Sequence, residues 1–224
     1  MIAFNFEPKT KMIFGINKEE TVGSLIKTYG KRKVMVVYGK NSIVQSGLLA
    51  RVIKSLKEAH IEYVLFGGAE PNPKLSHVEE GIQKVKEENV DFLLAVGGGS
   101  AIDTAKLIAV SYDYKGNPFD FNDKKVVADH ALPLGVILTI AAAGSEGSTS
   151  CVITNDKTHC KKGFNSEYNR PVFAIYNPEL TYTVSPYQTA CGIVDIMMHT
   201  LERYFNPSRE IEFSDELAIG LLKT

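Results

Sequence analysis

The chain has 224 residues, 44% of them hydrophobic and 23% charged, with a formal net charge of -1. A near-neutral balance without a basic block argues against nucleic acid or an anionic membrane as a partner. The start, MIAFNFEPKTKMIFG, carries charges where a signal peptide needs an apolar core, and no stretch approaches a spanning helix, so a soluble, cytoplasmic protein is expected.

The elements follow in order. IAFNF and KMIFG surround Glu7, Pro8 and Lys9, which predicts a small hairpin or two short strands. Asn17 and Glu20 have capping-box spacing, Val22, Leu25, Ile26 and Tyr29 form one apolar face, and Gly30 closes the helix. KVMVVYG (33–39) is the near-continuous apolar run of a buried parallel strand. A helix is predicted from about 43 to 59, with Leu48, Leu49, Val52, Ile53 and Leu56 on one side. EYVLFGG (62–68) is the next strand. Ser76 and Glu79 open a helix bearing Val78, Ile82 and Val85. DFLLAVGGGS gives a strand, SAIDTAKLIAVSY a helix, and PLGVILT (133–139) another strand.

This alternation predicts an α/β, Rossmann-like domain with a parallel sheet and right-handed crossovers. After Thr139, SCVIT and RPVFAIY read as strands flanking a polar loop, NDKTHCKKGFNSEYN. Ser185-Pro186 is a helix start, and the signals stay helical to Thr224. The expected division is an α/β domain over 1–184 and the start of an all-helical domain over 185–224. The apolar pattern Leu217, Leu221, Leu222 meets no closing cap, so further sequence is expected after it. Cys151, Cys160 and Cys191 are odd in number and lack a C-x-x-C pair, which fits reduced thiols.

AVGGGSAID leaves a buried strand and enters a helix at Ser100. Its glycines admit close backbone approach, and the helix N-terminus offers free N–H groups and a positive dipole end to a phosphate. A tight turn is the plainer reading of three glycines, and Asp103 on its own reads as an acid complementing the dipole. YGKNS, GGAEPNP, GGGS and TIAAAGS all lie at the C-terminal ends of predicted strands, where parallel sheets bind ligands. Four such loops imply an extended, phosphate-bearing ligand. Further on, Asp195 and His199 stand at i and i+4 in GIVDIMMHTLERYF, so they share a helix face. Carboxylate and imidazole together suit Fe(II) or Zn(II), although such a pair is also an ordinary surface hydrogen bond.

GGGSAIDTAK, TIAAAGSEGS, VIT and GIVDIMMHTLERYF, in this order, resemble the iron-containing (group III) alcohol dehydrogenases, with YNPELTYTVSPYQTACGIVDIMMHTLERYF closest to the butanol dehydrogenase branch. The resemblance covers nearly all of the chain but only the N-terminal half of such an enzyme. It implies a dinucleotide-binding domain, a helical metal-binding domain, and hydride transfer between NAD(H) or NADP(H) and a primary alcohol or aldehyde such as butanol or butanal. By that resemblance Gly97, Gly98, Gly99 and Ser100 hold the pyrophosphate, and Asp103 sits near the nicotinamide half. Thr139 and Ser145 line the cofactor cleft, Lys161 contacts the nicotinamide ribose, and Asp195 and His199 are metal ligands. Without it, Lys161 reads as a solvated loop charge.

The sequence departs from that family in three places. The resemblance implies two further histidine ligands, yet none follows His199; His60, His77, His130 and His159 precede it, and only loop residue His159 is a conceivable substitute. Ala143 stands where threonine is common. Gly39 occupies a position that can hold an acid, while Lys40 and Ser42 can meet a 2′-phosphate, which favours NADP over NAD. The alternatives are a truncated, non-catalytic dinucleotide-binding module and a sugar-phosphate cyclase of the dehydroquinate synthase-like superfold. The resemblance also implies a homodimer, with edge pairing through IAFNF.

Overall fold

The computed structural model describes residues 7, 9–207 and 212–224. Strands β1 (Lys11–Phe14), β2 (Lys33–Tyr38), β3 (Glu62–Phe66), β4 (Phe92–Gly97) and β5 (Leu134–Leu138) come first. A hairpin of β6 (Ser150–Asn155) and β7 (Cys160–Asn165) follows, and then β8 (Phe173–Tyr176). The main sheet has six strands in the order β1-β8-β5-β4-β2-β3, every pairing parallel. The expected parallel α/β sheet is therefore present.

Both sheet faces are covered, as parallel strands require. Side chains alternate: Val34 and Val36 of β2 point one way, Met35 and Val37 the other. The first set packs against α1 (Val22–Thr28) and α3 (Leu48–Glu58), which follows the one-turn α2 (Ser42–Gln45). The second set packs against α4 (Leu75–Glu87), α5 (Gly99–Ser111) and α6 (Phe119–Asn122). Helix α5 is buried almost all round, from Ala101 to Ser111, because the β6–β7 hairpin covers the side that faces away from the sheet. The strand order reverses between β2 and β4: β3 lies outside β2 on one side, and the chain then crosses to β4 on the other. Such a switch point opens a crevice at the C-terminal strand ends. Two helices, α7 (Pro186–Tyr204) and α8 (Glu212–Lys223), complete the chain and pack on each other. Among the described residues no helix is long and apolar enough to cross a membrane.

Several local expectations differ from what is seen. The helix expected over 43–59 breaks at Ser46-Gly47, where Gly47 adopts φ +72°, and restarts at Leu48. Neither expected capping box forms. Asn17 is left-handed and caps a short 3₁₀ turn without a side-chain bond, while the Ser76 amide instead donates to Asp156 Oδ1 at 3.2 Å. The polar loop after β6 contains β7, whose burial pattern shows only Phe164 inward, so its sequence carries no apolar alternation. KMIFG forms edge strand β1 against β8, while IAFNF lies outside the described residues.

Candidate active site

The loops after β2, β4 and β5 converge on a cleft of ≈ 710 Å³, within the roughly 300–1,000 Å³ range of small-molecule sites. Its wall includes Gly39 and Ser42 from the first loop, Gly97, Gly98, Gly99 and Ser100 from the second, and Thr139 and Ile140 from the third. Thr183, Ser185 and Gln188, at the entry to α7, close the far side.

The glycine loop is shaped for close approach. Gly97 has φ +154°, which L side chains rarely adopt. A Cβ on Gly98 would run into Ile140 Cγ2, whereas one on Gly99 would meet nothing within 4 Å and would project into open space. The first helical bonds of α5 run from the Ala101 and Ile102 amides to the Gly98 carbonyl, at 3.1 and 3.2 Å. The Gly99 and Ser100 amides thus precede the helical ladder and stand at its positive end. The Thr139 amide donates to the Gly97 carbonyl at 3.2 Å, locking the β4 and β5 loops together. This cradle fits a pyrophosphate.

Behind the loop lies a buried polar network. Lys106 is fully buried, and its Nζ donates to the carbonyls of Ser145 (2.6 Å), Ser148 (3.1 Å) and Ser150 (2.7 Å). Ser145 Oγ donates to Asp103 Oδ1 at 2.6 Å, and the Val152 amide donates to Asp103 Oδ2 at 3.0 Å. Burial pushes the Asp103 carboxyl up and the Lys106 ammonium down, each opposed by the other's charge. Asp103 and Ser145 therefore brace the small-residue loop from beneath, and Ser145, expected to line the cofactor cleft, is not among the residues around the ≈ 710 Å³ cleft.

Two of the residues expected to contact the cofactor make protein contacts of their own. Lys40 Nζ is 2.6 Å from Glu70 Oε1, and Lys74 Nζ lies 2.8 Å from Glu70 Oε2. The paired lysines hold the Glu70 carboxyl down at about 2. Lys161, on β7, donates to Asn72 Oδ1 at 2.8 Å and ties the hairpin to the loop after β3. Neither lysine forms part of the cleft wall.

Asp195 and His199 sit on α7 with Oδ1 and Nε2 3.8 Å apart, both half-exposed. Gly192 is on the same helix face, at i-3 and i-7. A Cβ there would lie 2.5 Å from the Ala141 carbonyl oxygen, so α7 seats directly on the loop whose neighbours line the cleft. The pair's donor types suit Fe(II) or Zn(II). Among the described residues no group of three or more His, Cys, Asp or Glu could hold a metal, so the pair alone does not make a closed metal site.

Sequence reading passed over Lys106 and Arg51. Lys106 lies inside the GGGSAIDTAK stretch, but the acceptors that surround it come from a loop about forty residues away. Arg51 also lines the cleft, yet in sequence it is one more charge on the polar side of α3.

Comparison with known proteins gives this geometry its context. A model of the iron-containing alcohol dehydrogenases matches residues 8–178. The chain is 43% identical over 221 residues to the probable NADH-dependent butanol dehydrogenase 2 of Bacillus subtilis, covering 99% of this chain and 56% of that protein. It is 36% identical over 226 residues to the NADPH-dependent aldehyde reductase YqhD of Escherichia coli, covering 99% of this chain and 57% of that one. The crystal structure of NADH-dependent butanol dehydrogenase A from Thermotoga maritima superposes with a TM-score of 0.95 at 40% identity, covering 99% of this chain and 56% of the other. The chain thus spans about half the length of the curated relatives it matches. With the family model matched from residue 8 to 178, the chain belongs to the iron-containing alcohol dehydrogenase family.

Proposed function

We propose that the protein carrying this chain is a metal-dependent oxidoreductase. It transfers a hydride between NAD(P)(H) and a primary alcohol or aldehyde, with butanol and butanal as the first candidates. One observation carries the reading: the Gly99–Ser100 helix start opens on the same cleft whose β5 loop seats α7 through Gly192. On this reading the α5 N-terminus takes the pyrophosphate, with Gly97, Gly98 and Gly99 allowing the approach. Thr139 flanks the cofactor, while Asp103, Lys106 and Ser145 hold the loop in shape. Asp195 and His199 supply two ligands of an Fe(II) or Zn(II) site, and the remaining ligands come from elsewhere in the protein. When bound, the nucleotide supplies hydride chemistry and the metal polarises the alcohol oxygen.

The same proposal divides the chain into a dinucleotide-binding unit, 1–184, and the beginning of a helical metal-binding unit, 185–224. It includes a homodimer, supported by edge strand β1, whose Met12 and Phe14 are 67% and 74% exposed. A cytoplasmic location is part of it too, supported by three free cysteines. The sugar-phosphate cyclase reading gains nothing from the matched family model.

A second reading, a dinucleotide-binding module without catalysis, is favoured by the incomplete ligand set among the described residues. Turnover separates the two. The intact protein, loaded with Fe(II) or Zn(II), is expected to oxidise butanol with reduction of the nucleotide. Nucleotide binding without turnover of any short-chain alcohol or aldehyde would establish the module instead.

A further inference from the structure

We infer that Arg51 receives the 2′-phosphate of NADP(H) and thereby sets a preference for that nucleotide over NAD(H). The inference rests on the dinucleotide reading of the cleft. Arg51 lies in the first turn of α3, lines the cleft, and leaves 34% of its side chain exposed.

Its orientation is fixed from behind. Nε donates to Glu19 Oε1 at 3.1 Å, and Glu19 is fully buried. Glu19 Oε2 in turn accepts from Asn177 Nδ2 at 2.9 Å, just past β8. Nη1 reaches the Ser46 carbonyl at 3.4 Å. Among the described residues Nη2 has no protein partner. A guanidinium held through Nε and Nη1, with Nη2 free of hydrogen bonds and the side chain on a cleft wall, is an anion receiver with little ordering left to lose.

Position names the anion. The pyrophosphate cradle lies at the end of β4, and β2 is the next strand in the sheet. In such folds the adenosine ribose lies at the end of the strand beside the cradle, where an acid selects the free 2′-hydroxyl and an arginine accommodates a 2′-phosphate. Here that strand leads into Gly39; Ser42, Ile43 and Ser46 line the same cleft as Arg51, and the acid paired with Arg51 is the buried Glu19 that does not line it. Glu179 lines the cleft from the turn after β8 and forms no ion pair with Arg51. Lys40, the sequence candidate for the 2′-phosphate, pairs with Glu70 and, unlike Arg51, does not line this cleft. The assignment sets this chain apart from the NADH named for the similar B. subtilis protein.

The test is a titration of the intact protein with NADPH and with NADH, followed by reduced-nicotinamide fluorescence. Unaltered protein, Arg51→Gln and Arg51→Lys are compared, with 2′-AMP and 5′-AMP as competitors. Unaltered protein is expected to bind NADPH the more tightly. Arg51→Gln is expected to weaken NADPH by about 10- to 100-fold, to leave NADH within about twofold, and to abolish the advantage of 2′-AMP over 5′-AMP. Arg51→Lys keeps the charge without the fork and is expected to fall between. The NADPH-to-NADH ratio is insensitive to a general loss of folded protein. Equal weakening of both nucleotides would assign Arg51 to a shared part of the cofactor and overturn the inference, as would an unchanged ratio or an unaltered protein that prefers NADH. If neither nucleotide binds the unaltered protein, the cleft reading itself fails, and this inference with it.

Discussion

Lys106 shows how much a single side chain carries. Three loop carbonyls, those of Ser145, Ser148 and Ser150, converge on its ammonium, and the lysine itself is fully buried. Lys106→Met keeps the stem but leaves those carbonyls without their donor and removes the positive charge that offsets Asp103. The expected cost is about 3 kcal/mol or more, read as a fall in Tm of roughly 6–12 °C. A Tm within experimental scatter of the unaltered protein would mean that the loop holds its shape without the lysine. Glu70 gives a residue-level prediction in pH. Its carboxyl is depressed to about 2 by Lys40 and Lys74, so its contribution to stability is complete above the ordinary glutamate range and is lost as pH falls toward about 2. An NMR titration is expected to place its midpoint near 2 and to show it moving upward in Lys40→Ala. A midpoint already in the ordinary glutamate range would remove the ion triad. At this scale the sequence exposed the glycines, because their spacing after an apolar run has few other uses. It concealed partners: nothing local to Lys106 or Arg51 says that Ser145 or Glu19 will stand beside it.

Among the elements, α7 has the largest functional consequence. Its capping is legible, since Ser185 Oγ accepts from the Gln188 amide at 3.2 Å and Pro186 opens the helix. Its docking is not, because Gly192 looks like a weak point in a helix until Ala141 is seen against it. Gly192→Ala forces α7 off the loop and displaces Asp195 and His199 on the same face. In the intact, metal-loaded protein kcat is expected to fall by about 100-fold for a displacement near 1 Å, with nucleotide affinity changed by less than about threefold. Unchanged kcat would show that the helix tolerates the extra methyl and that the contact does not position the pair. The strands were readable for the same reason that they are buried: β2, β4 and β5 are covered on both faces and therefore continuously apolar. Strand β7 escaped notice because it is largely solvent-facing, paired with β6 and packed on α6, and CKKGFN has no pattern to betray it.

For the whole molecule, chain order makes the site. The reversal between β2 and β4 brings the Gly39 and Gly97–Ser100 loops to one crevice, and β5 adds the loop on which α7 rests. The alternation of strands and helices made the parallel sheet foreseeable. The position of the switch point was not, since strand order depends on which side each crossover takes. The central claim is that this crevice holds the dinucleotide, and Gly99→Val tests it most directly. Gly99 has open space where its Cβ would stand, so the variant is expected to fold as before, with the new side chain occupying the pyrophosphate cradle. Titration of the intact protein with NADPH and NADH is expected to show affinity lowered by at least about 10-fold for both, at an unchanged Tm. Undiminished binding of both nucleotides to a folded Gly99→Val protein would contradict the account and place the cofactor elsewhere.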